Sequence, residues 1–184
     1  MKKLSFLFVF IVIITPASAQ LTKGNWLVGG SGDFTIFKVL KEKTHYVQAS
    51  ANIGHFFFDK FAIGLKPSYT YSFAKSEGSS SFAKSHGFYF GPFARYYFLP
   101  VEHPFNILVE GTYQHGIERK GSEYATTNYS LNSFSFAGGP VIYFNSAVGL
   151  EFLVRYGQTK YTKENYHESR LQFGIGLQVH LEKN

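Results

Sequence analysis

Hydrophobic and polar residues alternate with a period of two along most of this chain, most clearly in its last long run. There Leu171, Phe173, Ile175, Leu177, Val179 and Leu181 alternate with Gln172, Gly174, Gly176, Gln178 and His180. Successive side chains of a strand point to opposite faces, so this run is a strand with one oily face and one small or polar face. Such a strand suits a wall with hydrocarbon on one side and a polar interior on the other.

The same alternation returns about every twenty residues, the length of a spanning strand of about 9–11 residues plus its connection. A strand over Asn25–Phe37 sets Trp26, Val28, Phe34 and Ile36 against Leu27, Ser31, Asp33 and Thr35. Thr44–Phe57 sets Val47, Ala49, Ala51, Ile53 and Phe57 against Tyr46, Gln48, Ser50 and Asn52. After the tight turn Asp59-Lys60, a third strand turns Phe61, Ile63, Leu65, Tyr69, Tyr71 and Phe73 outward and Lys66, Ser68, Thr70 and Ser72 inward. The fourth turns Phe88, Phe90, Pro92, Ala94, Tyr96 and Phe98 outward, with Tyr89, Phe93, Arg95 and Tyr97 inward. The fifth has Phe105, Ile107, Val109, Tyr113 and Ile117 outward, with Asn106, Glu110, Thr112 and Gln114 inward. In the sixth, Phe134, Phe136, Pro140, Ile142 and Phe144 share a face. In the seventh, Val148, Leu150, Phe152, Val154 and Tyr156 oppose Glu151 and Arg155. Gly139-Pro140 echoes Gly91-Pro92, and because proline lacks a ladder donor both sites predict a local irregularity.

The connections alternate between long polar ones (38–43, 74–84, 118–128, 161–169) and shorter ones (58–60, 99–104, 145–147). Long surface loops and short periplasmic turns alternate in this way in outer-membrane barrels. Outward aromatics gather near strand ends: Trp26, Phe57, Phe61, Phe98, Phe105 and Phe144 at one end, and Phe34, Tyr71, Phe73, Phe88, Tyr113 and Tyr156 at the other. Two such girdles mark two membrane–water interfaces. The predicted fold is therefore all-β, an eight-stranded antiparallel up-and-down transmembrane β-barrel. A soluble ligand-binding barrel would reverse the faces, with apolar residues inward behind a polar outside; the two aromatic girdles and the alternating connections favour the membrane barrel.

The first residues stand outside this pattern. Lys2 and Lys3, the apolar run Leu4–Ile14, the break at Thr15-Pro16 and the small residues Ala17-Ser18-Ala19 read as a secretory signal peptide over 1–19, cleaved before Gln20. The run is too short for a membrane anchor. The barrel domain is then 20–184, and no later stretch is apolar for long enough to form a membrane helix. The sequence has 0 Cys, which excludes disulfides, a thiol nucleophile and cysteine-type zinc sites. The formal charge is +6, with Lys41, Lys43, Lys75, Lys84, Arg119, Lys120, Lys160, Lys163 and Arg170 in or beside the predicted loops. In an exported chain that distribution points to anionic lipid headgroups or polysaccharide rather than nucleic acid.

Inward charges form the most specific cluster. Counting from hairpin centres puts Glu110 level with Ala137, itself level with Arg155; Arg95 falls level with Leu108, one diagonal step from Glu110. Glu151 lies one long step below Arg155, and Lys66 and Asp33 join from across the lumen. Eight strands leave an interior just wide enough for side chains, so these charges have to pair. They read as a structural plug or, alternatively, as a gated path for small solutes.

No histidine has metal-ligand spacing, and the sequence suggests no catalytic, cofactor or metal residue. Most histidines read as solvated at strand ends and loops. His115 faces outward beside Tyr113, at a depth where some small barrels hydrolyse or transfer lipid A acyl chains with a Ser and a His. A triad there would need a serine and a carboxylate within hydrogen-bond reach of it; no serine is predicted beside it on that face, and Ser133 is expected to point inward, so no enzyme activity is inferred.

With these residues in view, the chain over about Gly24–Leu181 resembles the small eight-stranded outer-membrane β-barrel family, the OmpA membrane-domain and OmpX-like proteins. The resemblance rests on the Gly24-Asn-Trp26 start, the Gly91-Pro-Phe-Ala-Arg-Tyr-Tyr-Phe98 strand, the Leu150-Glu-Phe152 strand and the alternating end. The family's terminal aromatic is replaced by Leu181 followed by Glu-Lys-Asn, and the peptidoglycan-binding part of the OmpA role is not implied. The resemblance implies a monomer of the bacterial outer membrane that meets lipids and lipopolysaccharide, and the assembly machinery during insertion. It implies no cofactor and no nucleic acid. The expected function is a non-enzymatic cell-envelope protein with a charge-plugged lumen, structural or surface-interacting. Its alternatives are a narrow porin-like channel for small or hydrophobic solutes, a surface adhesin or, less favoured, a lipid A acyl-modifying enzyme.

Overall fold

Backbone amides that face hydrocarbon find no water, so a spanning sheet has to pair every strand and close on itself. A computed structural model describes residues 21–39, 42–76, 82–100, 103–121, 126–162 and 167–182, and it shows such a sheet. Its strands are β1 (Trp26–Val39), β2 (Glu42–Phe58), β3 (Phe61–Ser76), β4 (Phe82–Tyr97), β5 (Phe105–Gly121), β6 (Thr126–Tyr143), β7 (Val148–Tyr161) and β8 (His167–Leu181). Each pairs antiparallel with its neighbours in sequence, and β1 pairs with β8 from Trp26↔Leu181 to Phe34↔Phe173, closing the barrel. The predicted leader (1–19) and Gln20 lie outside the described residues. Among those residues no helix is long and apolar enough to cross a membrane.

The oily face of every strand points away from the barrel axis. Val28, Val47, Ile53, Leu65, Phe90, Val109, Phe136, Phe152 and Ile175 all lie exposed, while the residues between them are buried. Trp26, Phe57, Phe98 and Phe144 close this belt at one end, with Phe61 half-buried. Tyr113 and Tyr156 close it at the other, with Tyr71 and Phe73 half-buried.

The long loops expected at 38–43, 74–84, 118–128 and 161–169 are mostly strand. β1 continues to Val39 and β2 starts at Glu42, with Lys38 opposite Lys43. β5 reaches Gly121, which pairs with Thr126 of β6. Strands of 14–18 residues exceed the about 9–11 that a bilayer needs. The sheet therefore stands above the aromatic belt as a collar. Of the nine basic residues assigned to loops or their edges, Lys41 and Lys163 lie outside the described residues and the other seven lie on strands. The short turn is as tight as predicted: Asp59-Lys60 joins β2 to β3, with Lys60 in the left-handed region (φ 65) and a bulge between Phe56 and Phe58.

Both Gly-Pro pairs interrupt a ladder without shifting its register. The β4–β5 pairing skips Gly91 and Pro92, and the β6–β7 pairing skips Gly139 and Pro140. A Cβ on Gly91 would collide with the Tyr113 carbonyl, and one on Gly139 with the Phe152 carbonyl, so only glycine fits beside the neighbouring strand there. Pro67 interrupts the β2–β3 ladder in the same way.

The interior is not polar throughout, which corrects the wall-and-polar-lumen picture. Its lower part is an apolar core of Leu21, Leu27, Phe56, Ala62, Tyr97, Leu108, Val141 and Tyr143, continued upward by Phe93, one pleat above Arg95, and by Leu153, between Glu151 and Arg155. Leu21, ahead of β1, tucks beneath the barrel; its carbonyl accepts from Lys60 N at 2.7 Å, and Gly24 N donates to the Phe56 carbonyl at 2.9 Å. His180 lies inside this core rather than in solvent. Its ring meets Phe56 and Tyr97 edge-on at 5.8 and 5.9 Å, and neither ring nitrogen has a hydrogen-bond partner.

An outward apolar face makes depth the variable that sets the cost of a charge. Val109→Arg, halfway along the oily face of β5, is expected to cost about 2–4 kcal/mol, and Gln158→Arg, above the belt, about 0–1. Urea unfolding from lipid vesicles, read by the gel mobility of folded and unfolded forms, measures both.

Candidate functional site: the lumen charges and the outer rim

Above the apolar base, inward positions of seven strands converge on one knot of charge. Asp33 (β1), Lys66 (β3), Arg95 (β4), Glu110 (β5), Glu151 and Arg155 (both β7) expose at most 2% of their surface. Three cations face three carboxylates, so the knot is neutral overall. Glu110 is its hub. One carboxylate oxygen accepts from Lys66 Nζ and from Arg155 Nη1 at 3.2 Å, the other from Arg95 Nη2 at 2.7 Å and Nε at 3.2 Å. Arg95 Nη1 reaches Glu151 at 2.6 Å and donates to the Tyr97 hydroxyl at 3.2 Å. Arg155 Nε donates to Asp33 at 3.3 Å. Gln178 (β8) donates to Glu151 at 3.2 Å and exchanges two hydrogen bonds with Asn52 (β2), at 2.8 and 3.2 Å.

The register differs from the sequence count at one hairpin. Glu110 lies opposite Ala137, and Ala137 opposite Arg155, as counted. Arg95, however, lies directly opposite Glu110, and it is Tyr97 that faces Leu108. The connection after β4 is asymmetric: Asn106 Oδ1 accepts from Leu99 N at 3.0 Å and from Ile107 N at 2.8 Å, displacing the hairpin centre by one residue.

Over the knot lies a cavity of about 30 Å³, room for about two waters. Gln48, Gln114, Ser135, Arg155, Arg170 and Gln172 line it. Arg155 Nη2 and Gln172 Nε2 are buried donors without a protein partner, which suits a hydrated space. A third layer caps it: Lys120 donates to the Tyr161 hydroxyl at 2.7 Å, the Tyr161 and Tyr89 hydroxyls donate to Glu118 at 3.2 and 3.5 Å, and Arg170 lies 4.1 Å over the Tyr46 ring. Among the described residues no group of His, Asp and Glu is arranged to hold a metal.

On the outer wall the structure brings together residues that the sequence kept apart. His115 faces outward above Tyr113, opposite Asn132. Its Nδ1 lies 2.9 Å from Asn132 Oδ1, and its Nε2 lies 3.3 Å from Ser130 Oγ. The expectation that no serine sits beside His115 is thus overturned. Ser130 is two residues along β6 from Asn132 and therefore shares its face. The signal was present in the Ser130-x-Asn132 spacing, but it depended on a cross-strand register that a stretch taken for loop does not reveal.

Among solved structures, the chain is similar to the N-terminal β-barrel domain of OprF from Pseudomonas aeruginosa, with a TM-score of 0.60 and 12% identity over 86% of this chain and 98% of that one. It is also similar to the Neisserial surface protein A, with a TM-score of 0.55 and 14% identity over 84% of this chain and 96% of that one. No family model matches the sequence, and no curated protein matches it. The chain has the fold of the small eight-stranded outer-membrane barrels.

A hub that faces three cations should be the most costly member of the knot to neutralise. Glu110→Gln is expected to destabilise the barrel by about 3–5 kcal/mol, because it leaves Lys66, Arg95 and Arg155 buried and undercompensated. Asp33→Asn, which touches Arg155 alone among these cations, should cost less. The shift in urea midpoint between the two variants decides the ranking.

Proposed function

Starting from this shared fold, we propose that the protein is a monomeric outer-membrane barrel whose interior is a sealed structural plug that neither catalyses nor conducts. It serves the envelope through its lipid-facing wall and its collar. The observation that carries this reading is the apolar base. Leu21, Leu27, Phe56, Tyr97 and Leu108 fill the lower lumen to exposures of 2% or less, beneath most of a neutral charge knot. An ion following the lumen would have to leave water for an oily core, at a cost far above thermal energy. The plug holds the strands in fixed register, since the knot ties every strand except β6 to a partner across the barrel.

The outer wall supports placement in the outer membrane: an apolar belt bounded by aromatics, with basic groups above it. Lys84, Arg119 and Lys160 are exposed on the collar, where lipopolysaccharide phosphates would meet them. Insertion would engage the outer-membrane assembly machinery, as it does for closed sheets that cannot enter lipid strand by strand with unpaired edges.

Planar bilayers test the seal. The folded protein is expected to give no steady single-channel openings in salt solution. Steady openings that change size in Glu110→Ala or Arg155→Ala would make the lumen a path and overturn the plug.

A further inference from the structure

The lumen uses its charges on one another, but the outer wall holds a hydrogen-bonded set with no evident packing purpose. We propose that Ser130, His115 and Asn132 form a nucleophilic triad that hydrolyses acyl esters of outer-leaflet lipids. This goes beyond the sealed-lumen reading and does not depend on it.

The arrangement meets the geometric demands of such a triad one by one. With the Asn132 carbonyl 2.9 Å from His115 Nδ1, the pair suits the tautomer that carries its proton on Nδ1 and leaves Nε2 bare. That Nε2 lies 3.3 Å from Ser130 Oγ, within the looser range seen before substrate binds. All three residues sit on paired strands, β5 and β6, whose register runs unbroken from Phe105↔Ile142 to Gly121↔Thr126. A site on strands is held more precisely than one on a loop. His115 is exposed and Ser130 and Asn132 are half-buried, so the set is open from outside the barrel.

Depth selects the substrate. The triad stands in the upper rows of the oily belt: Phe90 lies opposite His115 and Ile117 opposite Ser130, with the exposed rings of Tyr113, Phe134 and Phe136 below. Acyl chains would pack against these apolar groups, with their ester carbonyls at the belt's upper edge, beside His115 and Ser130. On the same face one pleat above Ser130 stand Asn128 and Arg119, paired with each other and exposed. They supply donors on the side where charge would develop.

Ser130 Oγ gives its proton to His115 Nε2 as it bonds to the ester carbonyl carbon. The tetrahedral oxyanion collapses, the bond to the lipid's alcohol oxygen breaks, and the imidazolium returns the proton to that oxygen. Water then attacks the seryl ester, passing a proton through Nε2 back to Oγ. Lipid ester and water become a fatty acid and a deacylated lipid, with no other reactant.

The folded full-length mature protein is incubated in two separate preparations, phosphatidylglycerol–phosphatidylethanolamine vesicles and lipopolysaccharide-containing vesicles, and released fatty acid is measured. Release from one preparation and not the other assigns the ester to a glycerophospholipid or to a glycolipid. Ser130→Ala and His115→Ala should each lower release at least 100-fold, and Asn132→Ala by about 10-fold, with folded gel mobility unchanged. Ser135→Ala, inside the barrel, should leave release unaltered. A long-chain fluorophosphonate should add one adduct to the intact mass, lost in Ser130→Ala and slowed in His115→Ala. No release above protein-free vesicles in both preparations, or release and labelling that persist in Ser130→Ala, would overturn the triad.

Discussion

Backbone polarity is the constraint from which the rest follows. In hydrocarbon an unpaired amide costs several kcal/mol, so the sheet closes, with β1 finding β8 through the Trp26–Phe34 ladder. Closure at eight strands leaves a lumen of side-chain width. A lumen that narrow has to be filled by the chain itself. Each inward residue is therefore chosen twice, for its strand and for its neighbours across the axis. The three prolines show how tightly closure binds. Pro67, Pro92 and Pro140 each remove a ladder bond, yet all three ladders resume in register, because the barrel offers nowhere for a slipped strand to go.

The filling is layered by chemistry. At the base, apolar side chains meet across the axis and enclose His180. In the middle, charges meet charges, and Glu110 receives three cations through two oxygens. At the top, tyrosines spread the charge of Glu118, Lys120 and Arg170 over hydroxyls and rings. A buried pair is weak evidence for stability taken alone, since desolvation offsets much of its attraction. Its value here is in register. A one-residue slip of β5 would turn Glu110 to lipid and leave two arginines and a lysine facing one another, so the knot penalises every alternative pairing more than it rewards the correct one.

The sequence shows the barrel best where its two faces differ most. β3 and β8 alternate oily with polar along most of their length, and their faces read directly. The collar does not read that way, because both faces are polar there. Glu118, Arg119 and Lys120 are all charged, though Glu118 is buried and Arg119 exposed, so no contrast marks the strand. The apolar base was hidden for the opposite reason. Phe56-Phe57-Phe58, Ile107-Leu108-Val109 and Phe152-Leu153-Val154 are apolar on both faces, and such triplets mark the level at which the lumen is as oily as the lipid. The charge residues were found by type, but the Arg95–Glu110 level depended on an asymmetric turn held by Asn106. Ser130 fell outside the strand as drawn from the sequence, so its approach to His115 needed the β5–β6 register to be seen.

Where chemistry can occur in this molecule follows from the same layering. Lumen groups are committed to each other and shielded from any solute too large for a cavity of about two waters. The wall below the aromatic edge offers only hydrocarbon contacts. Where the belt gives way to the collar lies a narrow band in which polar side chains such as His115 stand beside exposed apolar ones such as Phe90 and Ile117. Within that band on β5 and β6, the pleat brings an imidazole between a hydroxyl and an amide carbonyl. A hydrogen bond at such a site is open to water and adds little to folding, about 1 kcal/mol or less. Stability therefore gives a weak account of three polar groups so aligned, whereas the proposed attack of Ser130 on a lipid ester would use that alignment.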